Sequence, residues 1–176
     1  ASFPLQRRVW GARAGILGMG RIGQDVATRL AGFGMDIAYS ARSEKALPYR
    51  FIPDATALAC HADFLFVTAA ATPETRHIVN AKTLQALGAD GFLINISRAA
   101  NVDESALLDA LESRQIAGAA LDVFDAEPHI NPRFVPLPFC FHRHVSPFVL
   151  SLSSSVTVTD PLTDPTSWEG GSEADR

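Results

Sequence analysis

The sequence predicts an α/β protein built on a doubly wound parallel sheet, and three observations predict it. Short apolar runs alternate with helix-patterned segments from Arg13 to Phe124, the rhythm of β-α-β units with both sheet faces covered. Two of these runs, Phe64 to Thr68 and Phe92 to Ile96, are almost continuously apolar instead of alternating, as expected for central strands buried on both faces. A glycine-spaced segment, Gly18-Met19-Gly20-Arg21-Ile22-Gly23, joins the first strand to the first helix.

In order along the chain, AGILG reads as a strand and RIGQDVATRLAGF as the helix after it. MDIAYS reads as a second strand, followed by a proline-containing loop and the helix DATALACHA. FLFVTAA and GFLINIS are strands separated by the helix AKTLQAL. In DESALLDALES the apolar positions Ala106, Leu107, Ala110 and Leu111 follow helical spacing, with Asp103 as N-cap and carboxylates in the first turn. IAGAALDVF is the next strand. Beyond Pro128 the pattern fades into a loop holding Pro132, Pro136 and Pro138, then the aromatic stretch FCFHRHVSPFVL. From Ser151 to Arg176 the composition turns to Ser, Thr, Asp, Gly and Pro. We therefore expect a dinucleotide-binding domain over residues 1–150 and a polar, disordered tail over 151–176, with a short strand at Ser155 to Thr159 as the alternative.

Length and composition set the bounds. A chain of 176 residues, 47% hydrophobic, can bury roughly 70% of its unfolded surface in one core, and is far short of the about 250 residues of an α/β barrel. Fifteen basic against 19 acidic side chains give a net charge of −4, which offers no electrostatic footprint for a nucleic-acid backbone or an anionic membrane surface. No apolar run approaches the roughly 18 residues of a membrane span. Arg7 and Arg8 ahead of an apolar stretch resemble a twin-arginine signal, but Arg13 interrupts the stretch and glycines punctuate it, so a strand is expected there. Two cysteines, Cys60 and Cys140, are too few for a zinc site or a disulfide scaffold and suggest a reducing compartment; a cytoplasmic location is the expectation, and no metal site is expected.

Chemistry enters at the glycines. A G-x-G-x-x-G segment between strand and helix is the setting of a dinucleotide fingerprint: Gly18 permits a tight turn, Gly20 admits a pyrophosphate close to the backbone, and Gly23 allows close helix packing. The amides of Arg21 and Ile22 open the helix that would face the phosphates. The second strand ends Ser40-Ala41-Arg42-Ser43, where an NAD-specific protein carries an acid for the ribose 2′-hydroxyl. With no acid there, Ser40 and Ser43 are placed to hydrogen-bond a 2′-phosphate and Arg42 to pair with it, so NADP is the expected cofactor, with NAD possible.

Through VWGARAGILGMGRIG, ADFLFVTAAATPETRHIVN, GFLINISRAANVDESALLDAL and IAGAALDVFDAEP, the chain from about Phe3 to Pro138 resembles the cofactor-binding domain of the D-isomer-specific 2-hydroxyacid dehydrogenases, in particular their NADP-preferring glyoxylate and hydroxypyruvate reductase branch. The resemblance implies a Rossmann-type NAD(P)-binding domain, reversible reduction of a small 2-oxo acid to its D-2-hydroxy acid by hydride transfer, and a homodimer. It also implies roles. Arg98 would hold the carboxylate and carbonyl of the oxo acid, Glu127 would hydrogen-bond and orient the catalytic histidine, and Asp122 would lie near the nicotinamide carboxamide. Thr75 and the backbone at Ile96 and Ser97 would contact the cofactor. The proton donor would be His144, although the family's Pro-His pair reads Arg143-His144 here; His142, or loss of the donor, are the alternatives.

Two more departures shape the expectations. Ala99 stands where the family carries a glycine after its arginine, which predicts an altered turn if that position needs φ > 0. Only about a dozen residues precede the first strand, and a polar tail stands where a returning helix is usual, so the substrate domain is expected to be largely missing. The second function class is accordingly a nucleotide-binding fragment or regulatory relative that binds NAD(P) without turnover.

Overall fold

The structure is a computed structural model that describes residues 8–137 and the backbone of residues 140–142. The elements run β1 (Arg13–Leu17), α1 (Arg21–Ala31), β2 (Asp36–Ser40), β3 (Arg50–Phe51), α2 (Ala55–His61), β4 (Phe64–Val67), α3 (Ala81–Leu87), β5 (Phe92–Asn95), α4 (Glu104–Glu112), β6 (Gly118–Leu121) and β7 (Cys140–His142). Among the described residues they form one parallel sheet in the order β3-β2-β1-β4-β5-β6-β7. The chain winds outward from β1 in one direction and from β4 in the other, so the strand order reverses between these two. The carboxyl ends of β1 and β4 therefore open the crevice where doubly wound sheets bind ligands.

The helices start where side chains take up their unpaired amides. Asp54 accepts from the Ala57 N–H ahead of α2, Asn80 from Lys82 and Thr83 ahead of α3, and Asp103 from Ala106 ahead of α4, the last as the sequence predicts. The start of α1 is the exception: its N-cap is Gly20, which offers no side chain, and its first turn holds no acid.

The two faces of the sheet are covered unequally. On one face Leu17, Leu65, Val67 and Leu93 lie buried among Leu58, Leu84, Leu107 and Leu108 of α2, α3 and α4. On the other, Ala14, Ile16, Ile37 and Tyr39 are buried with Ala27 of α1. The expectation that the central strands are buried on both faces holds for the first face only. Phe64, Phe66, Phe92 and Ile94 are half-buried, with Phe64 and Phe92 stacked across β4 and β5 at 5.4 Å between ring centres. The reason is topological. The right-handed connections through α2, α3 and α4 put those helices on one side, and α1, on the other, packs mainly on β1 and β2.

Two strands escape the periodicity. β3 pairs two residues with Ala38 and Tyr39 inside what reads as a loop, and β7 pairs Cys140–His142 with Ala119–Leu121. Elements of two or three residues are too short to show an alternation. The proline loop also holds one 3-10 turn at Pro132–Phe134, capped by the Asn131 side chain. The expected boundary at 150/151 and the alternative strand at 155–159 lie outside the described residues.

Candidate functional site

The glycine turn is fixed by close contact. Gly18 has φ +97 and donates its N–H to the Ser40 carbonyl at 2.9 Å; a Cβ there would sit 2.6 Å from the Ala69 backbone. A Cβ on Gly23 would collide with the Gly18 carbonyl oxygen and lie 3.0 Å from Thr68 Oγ1. That hydroxyl in turn donates to the Gly18 carbonyl at 2.5 Å, tying the turn to the end of β4. Gly20 is different: a Cβ there would meet nothing within 4 Å. Open space over Gly20, an uncapped helix start and a first turn free of acid together make room and charge for a pyrophosphate, so the residues present fit a dinucleotide. Ile22, 57% exposed, lies beside this opening in sequence and carries one of the amides of the first turn.

The end of β2 divides the residues expected at a 2′-phosphate. Arg42 and Ser43 are exposed in the loop that follows the strand. Ser40 is not available: it is 6% exposed, and its hydroxyl donates its only proton to the Pro53 carbonyl at 2.9 Å. It fastens β2 to the segment before α2, which corrects the expectation that it faces a phosphate.

The substrate-side residues follow β5 and β6. Asn95 closes β5 at 1% exposure, and its Oδ1 accepts from both the N–H and the hydroxyl of Ser97. The Asn95 amide donates to the Arg98 carbonyl at 3.1 Å. Asn101, fully buried, donates to the Ala69 carbonyl at 2.8 Å and to Ser97 Oγ at 3.0 Å. These three side chains hold the segment that presents Arg98 to solvent. The Arg98 guanidinium donates to the Ser97 carbonyl at 2.7 Å. Ala99 opens a 3-10 turn, Ala99–Asn101, and among the described non-glycine residues a positive φ occurs only at His77 and Arg114. Ala99 therefore sits in a backbone conformation that suits alanine.

The remaining expected residues are placed as follows. The Ile96 N–H donates to the Val67 carbonyl at 3.3 Å and its side chain is 38% exposed, whereas Ser97 is buried. Asp122 is half-buried one residue past β6, its N–H on the Asn95 carbonyl at 3.0 Å. Glu127 is exposed and accepts from the Phe124 N–H at 2.9 Å. The Thr75 hydroxyl is committed to its own turn, donating to the Ala70 carbonyl at 2.7 Å and accepting from the Thr72 N–H at 2.8 Å. His142 ends β7 opposite Leu121, and His144 lies outside the described residues.

Because every strand is parallel, Gly18, Arg98 and Asp122 all follow carboxyl ends at one edge of the sheet. The sequence reading missed Thr68, Asn95 and Asn101. A polar residue interrupting an apolar run, as Asn95 does in FLINIS, was the available signal. Among the described residues no group of three or more His, Cys, Asp or Glu is placed to hold a metal ion, and no helix is long and apolar enough to cross a membrane.

The sequence profile of the D-isomer specific 2-hydroxyacid dehydrogenase family, NAD binding domain, matches residues 2–146. The chain is 47% identical over 141 residues to the 2-ketogluconate reductase of Gluconobacter oxydans, covering 78% of this chain and 45% of the relative. A 2-hydroxyacid dehydrogenase of Ketogulonicigenium vulgare Y25 superposes with a TM-score of 0.77 at 53% identity, over 81% of this chain and 45% of that one. The NADPH-dependent glyoxylate/hydroxypyruvate reductase of Sinorhizobium meliloti, solved with NADP and malonate, superposes with a TM-score of 0.77 at 39% identity, over 87% and 48%. The chain thus spans less than half the length of each of these three relatives. Its turn, its sheet order and this match together show that it belongs to the D-isomer-specific 2-hydroxyacid dehydrogenase family and carries that family's NAD-binding domain.

Proposed function

We propose that the chain is the cofactor-binding half of an NADP-dependent reductase that converts a small 2-oxo acid, of the glyoxylate or hydroxypyruvate type, to its D-2-hydroxy acid. The observation that supports this reading best is the sharing of one sheet edge by an open glycine turn, an acid-free β2 loop bearing Arg42, and an exposed Arg98 on a hydrogen-bonded mount. When bound, the dihydronicotinamide supplies the hydride.

The chain's own residues do the rest. The amides at Gly20, Arg21 and Ile22 take the pyrophosphate, and Arg42 with Ser43 takes the 2′-phosphate. Arg98 binds the carboxylate of the oxo acid with one side of its planar fork and polarises the carbonyl with the other, so negative charge developing on that oxygen is met by a fixed cation. His144 delivers a proton to the carbonyl oxygen, and Glu127 orients the ring and stabilises its protonated form. The names of the relatives, which include glyoxylate, hydroxypyruvate, 2-ketogluconate and hydroxyphenylpyruvate reductases, support a 2-oxo acid as substrate. Pairing of two copies and a cytoplasmic location belong to the same reading; sedimentation of the purified chain checks the first.

The test is NADPH oxidation in the presence of glyoxylate or hydroxypyruvate by this chain joined to the substrate-binding half of a relative. Turnover that Arg98→Ala lowers by about a hundredfold or more supports the reading. Tight NADPH binding with no turnover on any 2-oxo acid replaces it with a nucleotide-binding module that does no chemistry.

A further inference from the structure

We infer that Glu104 is a positioning residue that sets the separation between Arg98 and Glu127, an inference that rests on the roles proposed for those two. Glu104 opens α4, directly after the N-cap Asp103. The chain between Arg98 and Asp103 is pinned along its length. Asn101 is held by its amide, the Val79 N–H donates to the Asn101 carbonyl at 3.0 Å, and the Asp103 N–H donates to the Val79 carbonyl at 2.9 Å. Glu104 therefore keeps a fixed place relative to Arg98.

From that place its carboxylate grips the neighbouring loop on both sides of Glu127. Oε2 accepts the Asp125 N–H at 3.2 Å, and Oε1 accepts the Asn131 side-chain amide at 3.3 Å. The adjacent amides of Phe124 and Asp125 are thus taken by two different carboxylates, Glu127 and Glu104. The far end of the loop is anchored to α4 independently. Phe134 is fully buried against Phe124 at 5.6 Å between ring centres, and Arg133 donates to Asp109 and Glu112 at 2.7 to 2.8 Å. Removing Glu104 leaves the loop attached at 133–134 and frees its tip. Two long hydrogen bonds at half-exposed positions contribute little to stability, but a catalytic group displaced by about 1 Å loses about a hundredfold in rate.

A first-turn glutamate also favours its helix through the dipole, and that role needs only its charge. Two variants separate the roles. Glu104→Asp keeps the charge and withdraws the carboxylate from Asp125 and Asn131; Glu104→Gln keeps the reach and one acceptor but loses the charge. A positioning role ranks kcat as parent, then Gln, then Asp, whereas a helix-dipole role ranks stability as parent, then Asp, then Gln. The experiment measures amide exchange at Phe124 and Asp125 and NADPH binding in the chain and both variants, and NADPH-dependent glyoxylate reduction in the same three joined to the substrate-binding half of a relative. We expect Glu104→Asp to retain the parent Tm and NADPH affinity, to exchange Asp125 about tenfold faster, and to lose about ten- to a hundredfold in kcat with KM little changed. Unchanged exchange at Asp125 in Glu104→Asp, or a kcat order that follows stability, overturns the inference. If the parent joined to a substrate-binding half reduces no 2-oxo acid, the proposed function has failed, and the exchange result at Asp125 alone decides whether Glu104 holds the loop.

Discussion

The glycine turn and the Arg98–Glu127 loops sit at the same edge of one sheet, yet they are held in place by opposite means. The turn is held by steric exclusion: Gly18 and Gly23 leave no room for a Cβ, and the neighbours it would meet are backbone, the Ala69 Cβ and the Thr68 hydroxyl. The two loops are held by side-chain hydrogen bonds from Asn95, Ser97, Asn101 and Glu104. Steric exclusion tolerates no added atom but gives no direction, whereas a hydrogen-bonded mount aims a side chain and is sensitive to the loss of one partner. A phosphate needs only a rigid concave surface, while an oxo acid needs groups aimed at its carboxylate and carbonyl.

The largest effect is expected where exclusion is tightest. Gly23→Ala forces the Gly18 carbonyl and Thr68 apart, which should cost about 1–3 kcal/mol in urea unfolding and remove NADPH binding with it. Next comes the mount. Asn101→Ala leaves the Ala69 carbonyl and Ser97 hydroxyl without their shared donor in a fully buried setting, an expected loss of about 1–3 kcal/mol, with NADPH affinity less affected than Arg98-dependent turnover. If Asn101→Ala abolishes cofactor binding as thoroughly as Gly23→Ala, the two regions are not separately supported.

The contrast also explains what could be read in advance. Exclusion writes itself into the sequence as glycines at fixed spacing, so Gly18, Gly20 and Gly23 were legible before any coordinates, as was the α/β rhythm that places them. Hydrogen-bonded mounts leave little trace. Asn95, Asn101 and Glu104 carry ordinary polar side chains whose partners lie up to 32 residues away along the chain, and only contact reveals them. Ser40 was misread for the same reason: an exposed and a buried serine look alike until Pro53 is seen beside it. β3 and β7 were too short to show a period, and His144 lies outside the described residues.

Gly20→Ala sharpens the comparison without disturbing the fold. Its φ of −77 suits alanine and a Cβ meets open space, so stability should change by less than about 1 kcal/mol while NADPH binding weakens about tenfold or more as the methyl intrudes on the phosphate. The smallest effect lies at the exposed end of the loop. Arg133 holds the Glu112 carboxyl below the usual carboxylate range, chiefly by hydrogen bonding. A carboxylate with a depressed folded pKa stabilises the protein at neutral pH and loses that contribution as pH falls through the folded pKa. Arg133→Met should therefore flatten the acid side of the stability profile slightly, because the pair is exposed and screened, and leave NADPH binding unchanged.

The central claim is that this chain is a dinucleotide half-site with a phosphate-reading β2 loop, and calorimetry of NADPH and NADH with the chain and its Arg42→Ala variant tests it most directly. The account predicts tighter binding of NADPH than NADH, and a selective loss of about ten- to a hundredfold for NADPH in Arg42→Ala, the effect of removing a charge-assisted hydrogen bond. Equal affinity for the two nucleotides, unmoved by Arg42→Ala, would contradict the 2′-phosphate assignment, and binding of neither would contradict the half-site itself.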